Sequence, residues 1–179
     1  ITSPGGPVPG AFYLIDRDGE RVHAWPTGQG TFSGRLLPDG SIVALLMTRQ
    51  RPDIEPVGQP HIRKLEWNGD TIWVYENDYI HHDFSLLPNG NVLVIAWEQM
   101  SSENIARVVP PASSPYYADV FMEIDVSTGQ SVWEWHVQDE MVIENYVTLT
   151  KSVEFTHANT VEFLPEGNTL SGVDSLLVS

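Results

Sequence analysis

The sequence reads as an all-β chain made of repeated four-stranded units, and three observations support this reading. The turn Leu-Pro-x-Gly occurs three times, as Leu37-Pro38-Asp39-Gly40, Leu87-Pro88-Asn89-Gly90 and Leu164-Pro165-Glu166-Gly167. Proline presets φ there and glycine accepts φ > 0, so each is a hairpin turn. A second kind of hairpin, with its own turn glycine (Gly19, Gly69, Gly129), precedes each one and carries a stripe of rings on its return strand. The landmarks also share one interval: Gly19 to Gly69 and Pro38 to Pro88 are both 50 residues. A period near 50 with four short strands per period is that of a β-propeller blade. No segment sustains the 3.6-residue period that a parallel α/β chain would need.

Taken in order, residues 11–16 and 20–25 form the first hairpin around Arg17-Asp18-Gly19. Residues 31–37 and 41–47 flank the first Leu-Pro-x-Gly turn and read as the innermost pair of a blade. Residues 61–67 and 71–76 flank Asn68-Gly69 and read as its outer pair. The pattern repeats with 82–87 and 91–97, then 118–125 and 131–136 around Ser127-Thr128-Gly129. Residues 158–164 begin a third inner hairpin, with Asn168-Thr169-Leu170 starting its return strand. Counting from each turn glycine, position four is His23, Trp73 or Trp133 and position six is Trp25, Tyr75 or Trp135. Even offsets share one face of a strand, so a ring stripe recurs from copy to copy.

The third copy is longer, and its extra residues fall in two connections. Residues 99–117 are Ser/Pro-rich and read as loop. The second connection spans 137–156, where the acidic stretch 138–145 has room for one helical turn. Residues 1–179 thus divide into a half blade 11–25, a blade 31–76, a blade 82–136 with the insertion 99–117, and a half blade 157–179. That is about three blades' worth of sheet, whereas closed propellers have roughly four to eight. Open edges pair or aggregate. The expectation is therefore a piece of a longer protein, or a homodimer in which two three-blade chains close one six-blade ring.

Composition narrows the partners. With 41% hydrophobic and 18% charged residues, a chain of 179 residues can bury a real core. No run of 18 apolar residues occurs, so no membrane-spanning helix is expected. The start, ITSPGGPVPG, has neither a signal peptide's apolar segment nor an initiator Met, so a removed leader or upstream segment is expected. A net charge of −15 argues against nucleic acid and anionic membranes, which need clustered Lys/Arg. A well-solvated surface is the plain reading of that acidity, and a high-salt origin is the second. Cysteine is absent, which excludes disulfides, thiolate metal sites and a Cys nucleophile and leaves the compartment unfixed by redox logic.

Six histidines remain to be sorted. His23 lies in the ring stripe and reads as structural, as do His61 and His136 on outer strands. His81, His82 and His157 stand at the entrances of innermost strands, where a propeller places its central site. Counting back six from the turn proline gives His82 from Pro88 and Asn159 from Pro165. His157 is two residues before Asn159, so an extended strand puts His82, His157 and Asn159 toward one region. His81 and Asp83 take the opposite parity, with Asp83 placed to orient a histidine by accepting its N–H. The first copy has Phe32 at the equivalent position. Imidazoles act as nucleophile, base or anion stabiliser, and an asparagine amide donates to a developing oxyanion. A His-based metal site is the rival reading, and strand-end capping is the structural one.

The segments FYLIDRDGERVHAWP, HHDFSLLPNGNVLVIAWE, IDVSTGQSVWEWHVQDE and THANTVEFLPEGNTL resemble the bacterial and fungal arylsulfotransferases, the PAPS-independent aryl-sulfate sulfotransferases. HHDF before Leu-Pro-Asn-Gly-Asn, with His-x-Asn before Leu-Pro-x-Gly-Asn, carries the resemblance. The pattern from Asp125 to Trp133 is shared more widely, with quinoprotein propellers. The resemblance implies a six-bladed propeller with a central site. It implies ping-pong sulfuryl transfer from a small-molecule phenolic sulfate ester to another phenol through a sulfohistidine, without a cofactor, in a periplasmic or extracellular setting. His82, His157 and Asn159 would be its polar set, with His81 and Asp83 behind them. The family's arginine and its nucleophilic histidine are expected beyond Ser179, which would leave these 179 residues incompetent in transfer by themselves. The arginine would follow a lengthened turn at 171–174. A non-catalytic ligand- or protein-binding propeller is the alternative.

Overall fold

The computed structural model describes residues 10–46, 60–108, 115–141, 143, 153–165 and 175–178. Its described residues are all-β with short helices, and they divide into two compact units that meet in sequence at Asp78 and Tyr79.

The first unit begins with the hairpin β1 (Ala11–Ile15) and β2 (Arg21–Pro26). Its turn forms because Asp16 Oδ1 accepts the N–H groups of Asp18 and Glu20, both at 2.9 Å. A four-stranded antiparallel sheet follows, in the order β3 (Thr31–Leu36), β4 (Ile42–Leu46), β5 (His61–Leu65), β6 (Thr71–Glu76). All five residues of β4 are buried, as suits an inner strand covered on both faces. Trp25, Ile42 and Leu65 form the core, with Phe12 and Leu14 packed against it. His23 belongs to this aromatic packing: its ring stacks on Trp67 at 3.8 Å, and its Nε2 lies 2.8 Å from the Trp67 carbonyl.

The second unit repeats the sheet with β7 (Ile80–Leu86), β8 (Val92–Gln99), β9 (Tyr117–Asp125) and β10 (Gln130–His136), each antiparallel to its neighbour. Four-stranded antiparallel sheets of this up-and-down order are consistent with propeller blades. Glu123 on β9 pins the β7–β8 turn by accepting from the Asn89 and Asn91 amides at 2.9 and 2.6 Å. Leu93, Ile95, Phe121, Val137 and Val161 make one core cluster of this unit.

The insertion differs from the loop expected of it. Ser102–Arg107 is a helix, α1, capped by Ser101, whose Oγ accepts the Asn104 N–H at 3.1 Å. Glu103 in its first turn and Arg107 in its last suit the helix dipole. That cap and charge pattern was present in the sequence and is the signal for this helix. A single turn, α2 (Val137–Glu140), begins one residue before the acidic stretch. β11 (Val161–Leu164) pairs with β12 (Ser175–Val178). The return strand expected from Asn168, the turn at Glu166-Gly167 and the lengthened turn at 171–174 lie outside the described residues.

Candidate active site

The entrance of β7 is not a regular strand. Ile80 pairs with Ala96 and Phe84 with Val94, so four steps on β7 face two on β8. The surplus residues lie at His81-His82-Asp83, in a bulge. His82 has φ 56°, the only positive φ outside glycine among the described residues. An L-residue in this region carries a penalty of about 1–2 kcal/mol, and such outliers cluster at functional sites. The bulge also corrects the parity count, which assumed an extended strand. A bulge re-aims a side chain, and this one frees His82 from strict alternation.

His157 reaches the same place from a different segment. Residues 153–156 lie along the start of β9: Tyr117 N–H donates to the Val153 carbonyl at 2.9 Å, and Tyr117 and Glu154 form a parallel bridge. Asp119 N–H donates to Thr156 Oγ1 at 3.0 Å. This strapping delivers His157 to His82, with the two Nε2 atoms 2.6 Å apart. That is hydrogen-bond distance, so one ring donates and the other accepts. His157 Nδ1 lies 2.5 Å from Glu154 Oε2 and donates to it, which fixes the ring's orientation. A carboxylate, an imidazole and a second imidazole therefore stand in line.

His81 lies behind this pair and is fully buried, as is Asp119 at 1% exposure. Its ring stacks on Trp97 at 3.9 Å, and its Nε2 stands 2.9 Å from Asp119 Oδ1. The ring N–H does not aim at that oxygen, so the contact is electrostatic rather than an aligned hydrogen bond. Burial is the main force lowering the His81 pKa, with Asp119 opposing it. Burial would raise the Asp119 pKa, but His81, Thr156 and the Ala158 N–H outweigh it and hold the carboxyl below its usual range. The pair is thus a neutral ring beside a carboxylate. His82 is pulled down to about 4, first by burial and then by the His81 and His157 rings, against Asp119 and Asp83. It is neutral at physiological pH.

Two expected residues stand differently. The Asn159 side chain is exposed, and its amide donates to the His157 carbonyl at 3.1 Å, so it braces the backbone beside the rings. Asp83 acts on His82 as a nearby charge. The carboxylates found at hydrogen-bond distance from the neighbouring rings are Asp119 and Glu154. Neither was singled out from the sequence. Asp119 is one polar residue within a β-strand, and Glu154 lies in an insertion with no periodic signal.

Among the described residues, no three His, Asp or Glu side chains are grouped to hold a metal ion. No helix of the described residues is long and apolar enough to cross a membrane.

Comparisons with known proteins bear on this arrangement. No curated protein matches the chain. A crystal structure of a protein of unknown function from Bacteroides caccae is similar at 15% identity and a TM-score of 0.32, covering 73% of this chain. The chain spans 56% of that protein's length. The arylsulfotransferase (ASST) family model matches residues 8–172, which include both four-stranded sheets, the bulge at His82 and the His157-x-Asn159 segment. The chain belongs to the arylsulfotransferase family.

Proposed function

We propose that the His82–His157 pair is the anion-holding part of an aryl-sulfate sulfotransferase site on a propeller. The observation that supports this most is the Nε2–Nε2 contact of 2.6 Å, backed by Glu154 and reached through a strained bulge. Family membership supports an arylsulfotransferase-like activity at a coarser level.

In this reading an aryl sulfate places its sulfuryl oxygens against the paired rings. An imidazole nitrogen attacks sulfur, the S–O(aryl) bond breaks, and the phenolate departs with the bonding electrons. A second phenol then attacks the sulfohistidine, the N–S bond breaks, and the phenol's proton passes to a base. Parting of the Nε2–Nε2 contact around the bound anion frees the His82 Nε2–H to donate to a sulfuryl oxygen, while His157, its Nδ1–H held by Glu154, takes up or relays a proton at Nε2. The attacking imidazole is proposed to be a further histidine of the parent protein, outside these 179 residues. Asn159 joins the set by turning its amide from the His157 carbonyl to the bound anion. The proposed setting is periplasmic or extracellular, and the partner is the remainder of the propeller or a second copy.

The test is transfer from 4-nitrophenyl sulfate to phenol, read as release of 4-nitrophenol, by the parent protein with and without His82→Ala. Donor-dependent turnover that falls in the variant supports the reading. Absence of turnover with a range of aryl sulfates overturns it.

A further inference from the structure

Asp119 has no role in the transfer just described, yet its carboxylate is buried in the middle of a β-strand. A buried charge is expensive, and well-packed apolar residues in its place would serve stability as well or better. Its surroundings give it a use. Asp119 Oδ2 accepts the Ala158 N–H at 2.8 Å, and Ala158 follows His157 directly. Asp119 Oδ1 faces His81 Nε2 at 2.9 Å, and His81 precedes His82 directly. Its own N–H donates to Thr156 Oγ1 at 3.0 Å, and Thr156 precedes His157. Trp97, directly opposite Asp119 on β8, stacks on His81 and closes the far side of that ring. One residue of β9 therefore grips the immediate neighbours of both histidines.

We infer that Asp119 is the positioning residue that holds the His82 and His157 segments together, so that their rings meet across the gap between the β7 bulge and residues 156–158. The bulge alone does not achieve this, because a residue at φ 56° is strained and relaxes when released. The 153–158 segment alone does not either, because beyond the parallel bridge it is held to β9 at Thr156 and Ala158. The inference rests on the sulfuryl-transfer reading for what the ring pair does, but not for its geometry.

The experiment titrates the six histidines by NMR in wild type, Asp119→Ala and Asp119→Asn, and measures 4-nitrophenyl sulfate turnover in the parent protein beside it. His82 is faced by His81, His157, Asp119 and Asp83. Asp119→Ala removes the acceptor for Ala158, so His82 swings toward solvent and its midpoint rises from about 4 toward the ordinary value of 6.5. Asp119→Asn keeps the acceptor and the shape, so the rings stay paired. If Asp119 acts only as a charge, both variants shift His82 the other way, because that charge raises its pKa. A His82 midpoint in Asp119→Ala at or below the wild-type value overturns the inference. If Asp119→Ala does not fold, Thr156→Val carries the test. It severs the Asp119 N–H from the His157 segment and is expected to raise the midpoint, while Thr156→Ser restores it; an unchanged midpoint in Thr156→Val overturns the inference. In turnover, Asp119→Ala is expected to lose about 10- to 100-fold in kcat with KM little changed, the scale of misplaced active-site groups. A wild type without turnover, together with the expected midpoints, overturns the sulfuryl-transfer reading and leaves the role of Asp119 standing.

Discussion

The hairpins β3–β4 and β7–β8 lie 50 residues apart and share the Leu-Pro-x-Gly turn, yet their entrances differ. Both are bulged six residues before the turn proline. In β3 one extra residue falls at Phe32, between the pairs Thr31↔Leu46 and Ser33↔Leu45. In β7 two extra residues fall around His82. Phe32 is 45% exposed, whereas His81 beside His82 is fully buried and tied to Asp119. The irregular entrance is thus a feature of both hairpins, and the paired histidines occur at the second. There the bulge is wider, His82 is left-handed, and a buried carboxylate lies two strands away.

That contrast is sharpest in stability. Trp97→Ala removes the ring that stacks on His81 and should destabilise the second unit by about 3–5 kcal/mol in denaturant unfolding. Phe32→Ala, at the place in the first unit that matches His82, should cost about 1 kcal/mol or less. Equal losses would mean that the two entrances are built alike.

In the proposed activity of the complete propeller, His82→Ala should lower kcat about 100-fold or more, the scale for removing one oxyanion donor. Phe32→Ala should leave kcat within about two-fold, as expected of a residue making no differential contact with the transition state. A smaller effect is expected from Glu154→Gln. The amide oxygen can still accept the His157 Nδ1–H but no longer carries a charge, and kcat should fall about 10-fold, the scale for weakening a histidine's carboxylate partner. Recovery in Glu154→Asp would show that the charge of the carboxylate matters more than its exact reach.

Much of this contrast is legible in the sequence. The 50-residue interval and the Leu-Pro-x-Gly turns give the sheets, and the place of His82 and His157 at strand entrances brings them together. The bulge is not legible, because the pairing of Ile80 with Ala96 is set by the neighbouring strand and not by any residue in the run Ile80-His81-His82-Asp83. Asp119 is hidden for a related reason: its partners lie 38 residues back, at His81, and 39 ahead, at Ala158. Period-two reasoning gives an element's face, and these contacts depend on tertiary approach across three elements.

The smallest effects concern backbone and proton. His82→Gly accepts φ 56° without strain and should be more stable than His82→Ala by about 1 kcal/mol, with equally low activity. His82 is depressed to about 4 when folded, against 6.5 unfolded. Its contribution is therefore fully present above pH 6.5 and is lost as the pH falls toward 4, where only the unfolded chain takes up the proton. His136 works in the opposite sense. Burial lowers its pKa but Glu98 and Glu134 raise it further, so its contribution holds at low pH and is lost as the pH rises through its folded value. Unfolding midpoints measured from pH 8 to pH 4 should fall less in His82→Gln than in wild type.

Whether His82 and His157 act as one unit is settled most directly by a double-mutant cycle on kcat/KM for 4-nitrophenyl sulfate in the proposed complete propeller. If the rings hold one anion between them, His82→Ala with His157→Ala should be within about three-fold of the worse single variant, as for groups that act together. Losses that multiply would show two independent histidines and contradict the paired site.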